Sequence, residues 1–171
     1  GFIKKEGRRR AGYMVAPKSQ DGYGEYKELL LAQEIRLRVA KWREAGYPGV
    51  TSITKTLLDY WNDRQFGSDD LRPYFFCQKE AIETLIWLTE APATEKVGID
   101  IPSDGGGFTR WCTKMATGTG KTIVMSMIIA WNFANKVRYK QDTRFSKNVL
   151  IVTPNLTVKE RLNVLDPTNE E

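Results

Sequence analysis

Apolar residues recur at helical spacing through the first long patterned stretch of the chain, from about Glu25 to Ala45. At 100° per residue they form two stripes on opposite sides, which is typical of a helix packed between two layers. Gly46, with Pro48 behind it, is a typical helix end. The pattern therefore predicts a long, architectural helix. The stripes are Tyr26, Leu29, Leu30, Leu37 and Ala40, against Leu31, Ile35, Val39 and Trp42.

Two more helices are predicted before residue 91. Residues 50–64 contain the first, with Thr51 or Ser52 as its N-cap. Its predicted inward residues are Ile53, Leu57, Leu58 and Trp61. Residues 71–90 form the second, and Pro73 suits its start. Its predicted buried face consists of Cys77, Ala81, Leu85 and Leu88.

The C-terminal half alternates strand-like and helical patterns. Residues 91–108 are rich in Gly, Pro and Asp and predict an exposed loop. After them come a short strand candidate, a helix that is apolar on nearly every side, a buried strand closed by Pro154, and a second helix. This order is the βαβ unit of a parallel sheet, so the predicted class is α/β. The ranges are 108–114, 121–136, 148–154 and 155–165, the last with Leu156 or Val158, Leu162 and Leu165 inward.

Composition narrows the class of protein. The chain has 171 residues, 41% hydrophobic and 27% charged, which suits one globular domain or one domain with an extension. A net charge of +5 permits nucleic-acid binding without proving it. Residues 1–24, which contain "KKEGRRR", predict a basic, loop-like arm. For that arm a solvated tail is the favoured interpretation, with a nucleic-acid contact as the alternative.

Several residue types argue against other classes. Cys77 and Cys112 lack metal-ligand spacing, and there is no histidine, so we expect buried, reduced thiols in a cytoplasmic protein. The longest apolar run is too short to span a bilayer, and no signal-peptide pattern opens the chain. A start at Gly1 is consistent with part of a longer protein. The five tryptophans fall in predicted helices and one strand, so we expect them in the core.

The stretch "KMATGTGKT", residues 114–122, carries the most specific chemistry. It fits the second half of the phosphate-loop pattern G-x-x-x-x-G-K-[ST], with Met115 in place of the first glycine. The alternative is a chance glycine-rich turn with a solvated lysine. The strand before and the helix after favour the phosphate loop, because backbone N–H groups at a helix N-terminus bind phosphate.

Each loop residue then has an expected role. Gly118 and Gly120 give the backbone its freedom, Lys121 reaches the β- and γ-phosphates, and the Thr122 hydroxyl holds Mg²⁺. Guanine-specific enzymes use Asn-Lys-x-Asp, but Arg138 replaces that Asp here, so adenine is favoured. The predicted nucleotide-binding loop is Ala116, Thr117, Gly118, Thr119, Gly120, Lys121 and Thr122.

Three segments together carry a family resemblance: "PYFFCQKEAIETLIWL", "MATGTGKT" and "VLIVTPNLTVKERL". They resemble the front end of a superfamily 2, DEAD/DEAH-box-like helicase motor, and most closely the Res subunit of type III restriction endonucleases. The resemblance implies a RecA-like P-loop NTPase sheet, the cofactors ATP and Mg²⁺, and ATP hydrolysis coupled to DNA translocation.

The resemblance also assigns roles to individual residues. It implies that Gln78 reads the adenine edge, with Tyr74 or Phe75 near the base; the alternative is that Gln78 is a surface residue. "TPNLTVKERL" resembles motif Ia, which contacts the DNA backbone, and the alternative is a solvated helix face. The implied DNA-binding residues are Thr153, Pro154, Asn155, Lys159 and Arg161.

This interpretation divides the chain into the arm 1–24, a helical extension 25–70 and the front half of a first RecA-like domain, 71–171. The carboxylates expected after motif Ia and an arginine finger do not occur before Glu171, so we expect nucleotide binding without turnover from these residues alone. Implied partners are DNA, the remaining motor and nuclease domains, and a methyltransferase/specificity subunit. Two rival functions remain: another P-loop enzyme such as a small-molecule kinase, and a non-catalytic nucleic-acid-binding module.

Overall fold

The structure is a computed structural model that describes residues 12–15, 24–63, 73–102, 105–154, 160 and 162–165. Its strands are β1 (Gly12–Val15) and β2 (Glu25–Glu28), and its helices are α1 (Leu30–Glu44), α2 (Ser52–Asn62), α3 (Phe76–Glu90) and α4 (Lys121–Arg138). Short 3₁₀ turns cover Ala93–Lys96 and Asn163–Leu165. Contacts group the chain into two units, Gly1–Gly46 with Pro92–Arg110 and Tyr47–Ala91 with Trp111–Glu171. The domain division suggested by the sequence stays a prediction.

The first unit contains an antiparallel strand pair. Gly12 pairs with Glu28 and Val15 with Glu25, so residues 25–28 are a strand, and the predicted helix begins five residues too early. A Cβ on Gly12 would collide with the Tyr26 ring, so glycine allows the two strands to approach here. Part of the predicted arm is therefore ordered as β1.

Helix α1 ends where the sequence predicts, because Gly46 adopts a φ of +82° beyond its last turn. Only the C-terminal part of the helix is buried, at Val39, Ala40 and Trp42, whereas Leu30 is 73% exposed. Burial is therefore limited to the last turns of α1, and the other residues of the two predicted stripes are not buried. Arg38 donates to the carbonyl oxygens of Glu95 and Val97 and so ties α1 to the 3₁₀ turn.

The second unit is a three-helix core of α2, α3 and α4. Thr51 caps α2 as predicted, since its hydroxyl accepts the N–H of Thr54 at 3.0 Å. Trp131 of α4 packs edge-to-face on Phe145, with ring centroids 5.7 Å apart. The buried apolar residues of this core are Leu58, Trp61, Ile82, Ile86, Trp87, Val124, Met127, Trp131 and Phe145.

Helix α3 buries a different face from the predicted one. The residues expected inside (Cys77, Ala81, Leu85 and Leu88) are only half-buried, and the buried set includes two glutamates and a glutamine. These polar groups are hydrogen-bonded inside the core, which offsets the cost of removing them from water. The buried residues are Gln78, Ile82, Glu83, Ile86, Trp87 and Glu90.

The parallel sheet is not present in the described residues, where the only paired strands are β1 and β2. Both predicted strands, 108–114 and 148–154, are irregular, and Leu150 and Val152 are 89% and 82% exposed. A parallel strand requires hydrogen-bonded neighbours, and no described segment supplies them. As a result Trp111 and Cys112 are exposed, contrary to prediction, whereas the other four tryptophans are buried.

Helix α4 runs two residues further than predicted, and one side of it is covered. Val124, Met127, Trp131 and Asn135 form a single buried stripe, while Phe133 is 50% exposed. The sequence predicts a helix that is apolar on nearly every side, but this one stripe is the buried part of it among the described residues. Most of the predicted helix 155–165 lies outside the described residues, apart from its last turn.

Within the part of the chain that the structure describes, no group of His, Cys, Asp and Glu side chains could hold a metal ion. Among the same residues, no helix has the length and hydropathy required to cross a membrane.

Candidate nucleotide-binding site

The glycine-rich loop leads directly into α4, the longest helix of the described chain. Gly118 and Gly120 both have a φ of +77°, a conformation that L side chains rarely adopt. Gly120 is the residue immediately before the first helical turn, and Lys121 and Thr122 begin that turn. The glycines therefore let the chain reverse into the helix at the position that the sequence motif predicts.

The loop is closed by hydrogen bonds to one carbonyl oxygen. Ala116 accepts the Thr119 hydroxyl at 2.7 Å and the Lys121 ammonium group at 2.7 Å. An ammonium group carries three donors, so this bond leaves Lys121 two more for phosphate oxygens. The Lys121 ammonium group is thereby held against the backbone of the loop.

The N-terminus of α4 supplies backbone donors as well. The first amides of a helix have no acceptor one turn earlier, and together they favour an anion at that end. Here Ile123 and Val124 donate to the Gly120 carbonyl, at 3.0 and 3.3 Å. The amides of Lys121 and Thr122 therefore remain the leading donors of this terminus. This arrangement of amides and one lysine is suited to phosphate binding.

Gln78 connects the start of α3 to the loop. Its side chain is 2% exposed, accepts the Phe75 N–H at 2.8 Å and donates to the Thr119 carbonyl at 3.1 Å. Any Cβ on Gly120 would collide with the Gln78 amide, so glycine is needed there for space as well as for φ. The structure thus brings together two predicted site residues that are far apart in sequence.

Three aromatic residues lie at the N-terminus of α3. Phe75 and Phe76 are each 61% exposed, and Tyr74 is half-buried. Burial raises the pKa of Tyr74 above its usual value, and the neighbouring Tyr60 adds to that shift. The tyrosine is therefore neutral at physiological pH, and it lies four residues before Gln78 in the chain.

The remaining predicted residues are only partly described. Thr122 and Thr153 are half-buried and Pro154 is exposed. Asn155, Lys159 and Arg161, predicted to contact DNA, lie outside the described residues. The structure thus places the nucleotide-binding candidates and leaves most of the DNA-binding candidates unplaced.

Asn135, the start of the partial guanine-reader sequence, lies inside the helical core. It is fully buried, and its amide group donates to the Thr54 hydroxyl at 2.9 Å and to the Trp131 carbonyl at 2.9 Å. Both N–H donors of its amide group are therefore used inside the core, and neither is left for a guanine edge.

Sequence analysis missed the buried polar cluster at the other end of these helices. The Glu90 carboxylate accepts hydrogen bonds from the Thr51 N–H at 2.8 Å, the Thr54 hydroxyl at 2.7 Å and the Trp131 indole at 2.7 Å. Because those partners come from α2 and α4, Glu90 joins the helix that carries Gln78 to the helix that carries Lys121. A buried carboxylate gives no signal in an apolar pattern, and only the fold reveals it.

Comparisons with known proteins identify the family of the chain. No curated protein and no solved structure matches the chain. The profile of the family described as "Type III restriction enzyme, res subunit" matches residues 70–165, which is more than half of the chain. The match includes α3, the glycine-rich loop and α4, and it implies a RecA-like helicase fold for this region. The chain therefore belongs to the type III restriction enzyme Res subunit family, whose members are helicase-like motors of restriction enzymes.

Proposed function

We propose that this chain is the ATP-binding part of an ATP-dependent DNA helicase or translocase of a restriction endonuclease. The observation that carries the proposal is the loop itself: two glycines at positive φ, a lysine held over the loop, and the free N-terminus of α4. These are the elements that bind the β- and γ-phosphates in P-loop NTPases.

The loop also fits Mg²⁺ bound together with the nucleotide. Mg²⁺ in such sites takes few protein ligands and fills its octahedron with phosphate oxygens and waters. Thr122, in the first turn of α4, would supply the hydroxyl, and Lys121 would neutralise phosphate charge. When bound, the metal would stabilise negative charge on the phosphates.

Adenine is the proposed base. A primary amide has two N–H donors and an oxygen with two lone pairs. Gln78 uses one donor on Thr119 and one lone pair on Phe75, so one of each remains, and an adenine edge would reach them once nucleotide binding uncovers this side chain, which is 2% exposed here. Supporting the loop and reading the base are therefore compatible roles for this residue, and Tyr74 or Phe75 would lie near the base.

DNA is the proposed track. Thr153, Pro154, Asn155, Lys159 and Arg161 would contact phosphates of the backbone. Such contacts carry little sequence information, which suits a protein that moves along DNA. The remaining motor and nuclease domains and a methyltransferase/specificity subunit are the further proposed partners.

The proposal is tested by ATP hydrolysis with and without DNA, in the protein that contains this chain together with its partner domains. We expect DNA-stimulated phosphate release that Lys121→Ala abolishes, because that substitution removes the cation from the phosphates. Turnover stimulated by a small acceptor and not by DNA would instead indicate a kinase. DNA binding with no ATP hydrolysis at all would indicate a binding module.

A further inference from the structure

We propose that the C-terminal end of α4 and the loop after it form a second polyanion-binding surface that contacts the nucleic-acid backbone. We define this cationic surface as residues 136–147, "KVRYKQDTRFSK". The inference rests on the proposed DNA motor function, but it concerns the opposite end of α4 from the nucleotide loop. Eighteen helical residues separate the two ends, or about 27 Å at 1.5 Å per residue.

Charge is the first argument. The surface holds five cations (Lys136, Arg138, Lys140, Arg144 and Lys147) against one carboxylate, Asp142. Asp142 already has a partner, since its carboxylate lies 2.7 Å from the Arg144 guanidinium. No carboxylate of the described chain pairs with Arg138, Lys140 or Lys147, and all three are exposed.

The second argument is that the loop is held in one arrangement. Phe145 is 3% exposed and packs on Trp131, which anchors the loop to the helical core. Lys136 donates to the Asp142 carbonyl at 2.8 Å, and the Tyr139 hydroxyl lies 2.7 Å from that of Ser52. Arg138, Lys140 and Lys147 therefore extend from a backbone that is already held in place, so that backbone needs little further ordering on binding.

The chemistry of the exposed positions favours nucleic acid over an acidic protein. Between residues 138 and 147 every exposed side chain is a cation or a polar hydrogen-bonding group, and the two aromatic residues are at least half-buried. Protein interfaces have an apolar or aromatic centre, whereas nucleic-acid interfaces are polar and strongly positive. The exposed polar residues are Arg138, Lys140, Gln141, Thr143, Arg144, Ser146 and Lys147, and Val137 is the one exposed apolar residue of the surface, at 45%.

Cations at a helix C-terminus also interact favourably with the helix macrodipole, and that effect alone accounts for a cation at position 138. It does not account for Lys140 and Lys147, which lie beyond the end of α4 at Arg138. These two lysines distinguish a binding surface from a helix cap.

The test is the salt dependence of duplex DNA binding by the whole protein without nucleotide. The test variant is Arg138→Ala with Lys140→Ala and Lys147→Ala. The matched control, Lys27→Ala with Lys41→Ala and Arg110→Ala, removes the same charge, from one arginine and two lysines, at exposed positions elsewhere. A third variant replaces the three surface cations with glutamine, which keeps side-chain length and polarity if alanine harms folding.

We expect both the alanine and the glutamine variants to weaken binding to all sequences alike. The slope of log K against log salt should fall by about 2.7, from about 0.9 for each of three phosphate contacts. The control should keep the wild-type slope. Equal slopes in the surface variants and the control would overturn the proposal, as would lost binding of an acidic protein partner with unchanged DNA binding.

ATP affinity, measured on the same samples, separates this proposal from the proposed function. The surface variants should bind ATP like the wild type. If Lys121→Ala leaves nucleotide binding unchanged while the surface variants lose DNA affinity, the proposed function fails and the cationic surface stands.

Discussion

Lys121 and Gln78 reach the same short loop from two different helices. Lys121 bonds to the Ala116 carbonyl and Gln78 to the Thr119 carbonyl, so both side chains fix the loop backbone before any phosphate is bound. A loop fixed in this way loses little entropy on binding. The residue-scale account is therefore that the site is pre-organised, and three substitutions test it.

Gln78→Ala removes the bond to Thr119 and leaves the Phe75 N–H without its acceptor. We expect ATP and GTP affinities both to fall, by about 1 kcal/mol or roughly fivefold, because the loop loses support. Calorimetry with both nucleotides measures this, with exposed Gln141→Ala as the control. A greater loss for ATP than for GTP measures adenine reading, and unchanged affinity for both would contradict either role.

Gly120→Ala and Gly118→Ala form a matched pair. Both residues have a φ of +77°, so each substitution carries the same backbone cost of about 1–2 kcal/mol. Only at Gly120 does the new methyl group meet the Gln78 amide, whereas nothing lies within 4 Å of a Cβ added to Gly118.

Urea unfolding should therefore show a larger loss of unfolding free energy for Gly120→Ala than for Gly118→Ala. Adding Gln78→Ala to Gly120→Ala should recover part of the difference, because the colliding group is removed. Equal losses in the two single variants would mean that Gln78 does not lie against Gly120.

The Asp142 carboxyl should titrate abnormally low. Its hydrogen bond from Arg144 holds the pKa of Asp142 below the usual 3.8. A depressed folded-state pKa gives stability that is present above pH 3.8 and is lost as the pH falls through the folded value. An NMR titration of this carboxyl should show the low pKa in the wild type and the ordinary value in Arg144→Ala; identical titrations would contradict the pairing.

At the scale of elements, the buried carboxylate of Glu90 holds α2, α3 and α4 together. Its three donors are the Thr51 N–H, the Thr54 hydroxyl and the Trp131 indole. Since α3 carries Gln78 and α4 carries Lys121, the angle between those helices determines how the loop and Gln78 meet. The cluster therefore acts on the site through helix packing.

Glu90→Ala should lower the free energy of unfolding by about 3–5 kcal/mol, because three buried donors lose their acceptor. Glu90→Gln keeps one acceptor oxygen and should cost less. Exposed Glu44→Ala is the control and should stay within about 0.5 kcal/mol of wild type. Urea denaturation gives all three values, and a Glu90→Ala protein as stable as the control would show that the carboxylate is not buried.

Features that depend on neighbouring residues could be predicted from the sequence. The Thr51 cap, the end of α1 at Gly46 and the start of α4 at Lys121 are set by local hydrogen bonds and backbone freedom. The phosphate-loop candidate could be predicted for the same reason, because its residues are neighbours in the sequence. Features that depend on distant partners were not, because burial of Glu90 and the bond from Gln78 to Thr119 exist only once the helices pack.

The strand predictions illustrate the same limit. An apolar run such as 148–152 predicts a buried strand only if other strands lie beside it, and the described residues contain none. Strand 25–28 was missed because its polar residues carry no apolar alternation, and its pairing with β1 comes from the chain ten residues earlier.

At the scale of the whole molecule, the proposed nucleotide site and the proposed cationic surface lie at opposite ends of α4. Family membership implies a RecA-like fold, in which helices cover both faces of a parallel sheet. The exposure of Val149, Leu150, Ile151 and Val152 is consistent with such a sheet packing here. The assignment of residues 116–122 as the nucleotide site nevertheless depends on the loop alone.

The most direct test of that claim is calorimetric titration of the purified protein with ATP and Mg²⁺. Lys121→Ala should weaken binding by about 1.5–3 kcal/mol, roughly tenfold to more than a hundredfold, because a charged hydrogen bond to phosphate is lost. The control Lys41→Ala, an exposed lysine in the other unit, should bind like the wild type. Equal affinity for the wild type and Lys121→Ala would contradict the assignment of this loop as the nucleotide site.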